Sequence, residues 1–96
     1  MLEQVKRALR ITSSVFDDEL TELIEAGLDD LGVVGVDARE NQDKALISRA
    51  VVTYCKVHFG EPDQYDRLKA AYDEQKAQLM IAHGYTGKED ADETVR

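Results

Sequence analysis

The stretch from Asp43 to Gly60, DKALISRAVVTYCKVHFG, is the most apolar segment of the chain and does most to limit what it can fold into. Its large apolar residues fall at Leu46, Ile47, Val51, Tyr54, Cys55, Val57 and His58/Phe59, with Ala50 between them. Steps of three and four wrap a wide stripe around a helix. A stripe that wide predicts a helix packed on more than one side. The segment therefore reads as the central helix, over about residues 42–59, with Asn41 as its N-cap and Gly60 just past its end.

The other segments read as narrower amphipathic helices laid against it. Leu2, Val5 and Leu9 share a face of a first helix over about 2–10, with Lys6, Arg7 and Arg10 toward its end, where cations suit the helix dipole. Thr12-Ser13-Ser14 breaks that pattern. Ser14 is placed to cap a second helix over about 15–31, with Asp17 three residues on as an acidic capping box. Phe16, Leu20, Leu23, Ile24, Leu28 and Leu31 form its stripe, and Gly27 on the same side allows another helix to come close. Pro62 suits the start of a fourth helix over about 62–83, whose stripe is Tyr65, Leu68, Tyr72, Leu79 and His83. The link from Phe59 to Pro62 is short, so helices three and four are expected to form an antiparallel hairpin. The expected architecture is all-α, a small four-helix bundle in one domain over 1–85, followed by a flexible, disordered acidic tail over 86–96, TGKEDADETVR.

Charge narrows the function classes. The net charge is −8, and from Val15 to Asp43 ten acids stand against Arg39 alone. Affinity for nucleic acid rests on neutralising phosphates with Lys and Arg, so a general nucleic-acid binder is disfavoured. Helix four carries Arg67, Lys69 and Lys76 against Asp63, Asp66, Asp73 and Glu74, a poor balance for a DNA-reading helix. The N-terminus has no signal-peptide core and no segment approaches a membrane span, so the chain is expected to be made in the cytoplasm and not to meet a membrane. Cys55 is the only cysteine, which excludes an intramolecular disulfide.

No chemistry-bearing constellation passes a geometric test. Cys55 and His58 are spaced i, i+3 as half a zinc site would be, but only His83 and an acid are left to complete it. The adjacent acids Asp17/Asp18, Asp29/Asp30 and Glu89/Asp90 point in different directions on a helix, so they do not form acid–base pairs. Gly32 and Gly35 lack the strand, lysine and hydroxyl of a phosphate loop. No catalytic residue, metal ligand or cofactor site is assigned. The residues left as candidate partner contacts are Val33, Val34 and Val36, apolar in what reads as a loop; Asp29 and Asp30, carboxylates at the unfavourable end of a helix dipole; and Tyr85 in the tail.

Taken in order, these segments resemble the small phage head–tail connector proteins, the head-completion or DNA-packaging adaptors of long-tailed phages and prophages. The resemblance is carried by Leu9-Arg10-Ile11 at the end of a short helix, the Thr12–Ser14 turn, Asp18-Glu19-Leu20 and Leu23-Ile24-Glu25-Ala26. The apolar third helix, the Gly/Pro link and the closing run Tyr72–Tyr85 extend it over about Leu2 to Thr86. It implies a non-enzymatic virion protein at the head–tail interface. Such a protein forms a homo-oligomeric ring matching the portal, and contacts the portal protein and the next head-completion or tail-side protein. Packaged DNA passes through it without sequence-specific binding. The alternative of a different class is a small helical regulatory or antitoxin-like module that binds one protein partner through the Val33–Val36 loop.

Overall fold

The computed structural model describes residues 1–60 and 62–82. The expected end of helix four at His83, the candidate contact Tyr85 and the expected tail lie outside the described residues. Four helices carry the fold: α1 (Leu2–Leu9), α2 (Asp17–Val33), α3 (Ala45–Phe59) and α4 (Tyr65–Ile81). Single turns of 3-10 helix at Arg39–Asn41 and Pro62–Gln64 lead into α3 and α4, and the described residues contain no β-strand. The all-α, four-helix expectation holds.

As expected, α3 is the central helix, packing against α1, α2 and α4. Ile47, Ala50, Val51 and Cys55 are wholly shielded from solvent, and Val57 nearly so. Against them α2 sets Leu20, Ile24, Leu28 and Leu31, α4 sets Tyr72 and Leu79, and α1 sets Val5. Gly27 has the role its place on the α2 stripe predicts. A methyl group there would sit 3.1 Å from the Tyr54 ring, so the glycine sets how closely α2 and α3 approach. α3 and α4 run antiparallel. Gly60 lies near Leu68 at the turn, and Tyr54 meets Tyr72 edge-on at 5.3 Å one and a half turns further back.

The helix starts differ from the sequence expectation, and the reason is where the polar side chains go. Ser14 does not cap α2. Its carbonyl accepts the Asp17 N–H at 3.1 Å, while the Ser13 hydroxyl accepts the Val15 N–H at 3.0 Å. The helix begins at Asp17, whose carboxylate turns away to the Lys6 ammonium at 2.8 Å. The Lys6 side chain is only 11 % exposed, so this pair ties α1 to the head of α2 in a largely dry setting. Asn41 does not cap α3 either. Its amide donates to the Asp37 carbonyl at 2.7 Å and closes the loop, and α3 starts at Ala45 after an extended Lys44.

Helices α1 and α2 end in the same way, with paired backbone bonds across a left-handed residue. After α1, the Arg10 N–H reaches the Arg7 carbonyl and the Ile11 N–H reaches Lys6, with Arg10 at φ 61°. After α2, the Gly35 N–H reaches Gly32 and the Val36 N–H reaches Leu31, with Gly35 at φ 88°. The second motif sets Val36 against the core. Val36 and Leu31 are both buried, the apolar contact that accompanies this kind of ending. Glycine takes the left-handed conformation freely, whereas arginine does so at a cost.

The end of α2 is also tied to α4. The Tyr72 hydroxyl donates to Asp30 Oδ2 at 2.6 Å, and Lys76 Nζ reaches the same oxygen at 3.0 Å while lying over the Tyr72 ring. Burial by itself raises the Asp30 pKa. The Tyr72 hydrogen bond and the hydrogen bond and charge of Lys76 outweigh it and hold the carboxyl below its ordinary 3.8. Burial, and then the bond to Asp30, push the Tyr72 phenol up, so it stays a donor at neutral pH.

Two expectations follow for stability. A carboxyl whose pKa is lowered on folding contributes stability that is fully present above its unfolded value and is lost as the pH falls through the folded one. Asp30→Asn is expected to cost about 1–2 kcal/mol at neutral pH in urea unfolding, since the carboxylate keeps part of its surface in water. The gap from the parent protein should close as the pH falls below 3.8; a gap that persists in strong acid would show that charge is not what Asp30 supplies. Arg10→Gly is expected to raise stability by about 1 kcal/mol by removing left-handed strain. An unchanged or lower melting temperature would mean that the arginine side chain offsets its own strain.

Candidate functional site

The described residues offer surfaces rather than a reactive centre. Cys55 is sealed in the core, where burial pushes its thiol up to about 12, so at neutral pH it is a packing group and not a nucleophile. His58, three residues on, is exposed and lies beside the Tyr54 ring at 4.4 Å between centroids. The Cys55/His58 pair is thus split between core and surface, and His83 lies outside the described residues. Among the described residues no group of three or more His, Cys, Asp or Glu side chains is placed to hold a metal ion.

The candidate contacts at the end of α2 fall into three kinds. Val33 is the last residue of α2 and is 83 % exposed; Val34 is half-buried; Val36 is a core residue at 1 %. Of the three valines expected as contacts, Val36 is packed in the core and Val34 partly covered, which leaves Val33 on the surface. The two aspartates are used within the chain. Asp30 is held by Tyr72 and Lys76. Asp29 accepts from Arg39 at 2.6 Å, and the same guanidinium reaches Glu25 at 2.7 Å. Arg39 thus spans two acids four residues apart on α2 and folds the 34–44 loop back onto that helix. Beside this pair lies a shallow hollow of about 470 Å³, bordered by Leu28, Gly32, Val33 and Asp37.

A larger groove, of about 680 Å³, opens where the end of α1 meets the turn between α3 and α4. Its apolar lining is Leu9, Ile11, Phe59 and Leu68, and its cations are Arg10, Lys56 and Arg67. Arg67 is steadied by donating to the Gln64 side chain. Lys6, Arg39, Lys69 and Lys76 are all paired with carboxylates inside the chain. Among the described residues, the three groove cations have no such partner. Next to the groove Phe16 packs edge-on against Phe59 at 5.3 Å, leaving Val15 beside it 78 % exposed.

Reading the sequence does not find this groove, because its lining comes from three helices and a turn. The available signal was Leu9-Arg10-Ile11, two apolar residues around an arginine at a helix end. The left-handed Arg10 turns that tripeptide toward the end of α3. Leu46, Met80 and Ile81 are also exposed apolar residues outside the predicted contacts, with Ile81 at 74 %.

No helix among the described residues is long and apolar enough to cross a membrane. Neither the curated proteins nor the solved structures give a match to the chain. A family model described as phage connector protein matches residues 1–86, which takes in every helix and both surfaces described above. The chain therefore belongs to the phage connector protein family.

Proposed function

We propose that the protein is a structural adaptor of a tailed phage or prophage. Copies of it form a ring between the portal and the next head-completion or tail-side protein, join head to tail and help retain packaged DNA. The observation that carries this reading is the match to the connector family across nearly the whole chain. The surface chemistry is compatible with it. A conduit for DNA must let phosphates slide past, and a chain of net charge −8, with Lys6, Arg39, Lys69 and Lys76 held by its own carboxylates, grips them poorly. The role asks for no catalysis, and none is assigned. A ring also needs two different contact surfaces on each copy, and the groove and the α2 corner are two such surfaces.

Native mass spectrometry of the purified protein, alone and mixed with the portal ring of the same phage, tests the proposal. The expected outcome is a closed oligomer, or copies loading onto the portal in its own symmetry. A monomer that ignores the portal, and is instead held one-to-one by a single unrelated protein, would move the assignment to a regulatory module.

A further inference from the structure

The larger groove is a basic rim over an apolar floor, in a chain that is otherwise strongly acidic. Arg10, Lys56 and Arg67 border it, and among the described residues no carboxylate lines it. Such a site suits an occupant with an apolar tip flanked by acids. The chain itself carries one. At the end of α2, Val33 is the most exposed large apolar residue among those described. Asp37 borders the hollow beside it, Glu40 follows in the 3-10 turn, and neither acid is paired with a cation among the described residues.

A copy cannot place this corner in its own groove. Phe16, just ahead of α2, packs on Phe59 of the groove lining, so the head of α2 lies at the groove. Val33 stands at the opposite end of that 17-residue helix, roughly 25 Å away at 1.5 Å per residue. Groove and corner can therefore meet only between copies. Because they are different surfaces, the contact is head-to-tail and repeats from copy to copy, giving a ring where the rotation between copies closes.

We propose that the groove formed by α1, α3 and α4 receives the Val33 corner of a second copy. Val33 rests on the Leu9 and Phe59 floor, and Asp37 and Glu40 face Lys56 and Arg67. This inference rests on the ring reading above and names the contact that would build the ring.

The test uses the full chain as an equal mixture of ordinary and nitrogen-15-labelled protein. It is treated with a carbodiimide, which joins lysine amines to nearby carboxylates, alone at high concentration and on the portal ring. The expected products are mixed-isotope cross-links from Lys56 to Asp37 or Glu40. Reversing the groove (Lys56→Glu with Arg67→Glu) or the corner (Asp37→Lys with Glu40→Lys) should lower self-association at least about tenfold, because like charges then face each other. Each variant is checked for helix content and melting temperature. The two variants are complementary at both contacts, so mixing them one to one should restore association, which a mere folding defect would not do. A ring that forms with cross-links elsewhere, or that tolerates either reversal, overturns this contact and leaves the ring reading standing. No association of the parent protein, alone or on the portal, overturns both.

Discussion

Ile47, Ala50, Val51 and Cys55 lose all their exposure because α1, α2 and α4 close around α3, and the rest of the molecule depends on that closure. A chain of this length buries only about 60–70 % of its unfolded surface, so it cannot maintain a second core. Each side chain that closes on α3 counts. Removing a large one from such a site typically costs 2–5 kcal/mol, a large share of the stability of a small domain. The same demand explains why the loop after α2 is not purely polar. Val36 and Ala38 enter the core from it, and the left-handed Gly35 provides the turn that brings Val36 there.

Charge is arranged around this core in two ways. Four of the seven acids of α2 are drawn to cations from other elements. Asp17 meets Lys6 of α1, Asp30 meets Lys76 of α4, and Glu25 and Asp29 meet Arg39 of the following loop. The first two are partly shielded and tie helices together. The Arg39 pairs are well exposed, and contacts of that kind contribute little stability each. Their effect is geometric, since they hold the 34–44 segment against α2 and so determine what stands beside Val33. Among the described residues, Arg10, Lys56 and Arg67 are left without a carboxylate partner beside the groove, and Asp37 and Glu40 without a cation near Val33.

That distribution suits a protein whose work is contact. The thiol is buried, the exposed histidine stands apart from it, and the polar cluster of Asp30, Tyr72 and Lys76 is satisfied within itself. Membership of the phage connector family agrees with a molecule in which faces carry the function. The short α1 does more than cover the core. Its left-handed ending at Arg10 directs Leu9 and Ile11 toward Phe59 and Leu68, so a strained residue helps to shape the groove.

Periodicity, with the short link from Phe59 to Pro62, was enough to identify the four helices, the central place of the helix expected over about 42–59 and found at Ala45–Phe59, the α3–α4 hairpin and the close approach at Gly27. These depend on where apolar side chains recur along one chain, and that pattern is written locally. The polar side chains were not legible in the same way. Ser14 and Asn41 have the right chemistry for helix caps, yet Asp17 turns to Lys6, a partner that folding brings near, and Asn41 turns to the Asp37 carbonyl, a local partner that competes with capping. Asp29 and Asp30 look available at a helix end until Arg39 and Lys76 arrive from 10 and 46 residues away. Val33, Val34 and Val36 look alike in sequence, and only the turn at Gly35 sends the third inward and leaves the first outside. The sequence by itself determined which segments are helical and which faces must be buried. Which charges are spent and which surfaces remain for a partner was decided by the tertiary structure, because both depend on groups that only the folded chain brings within reach of one another.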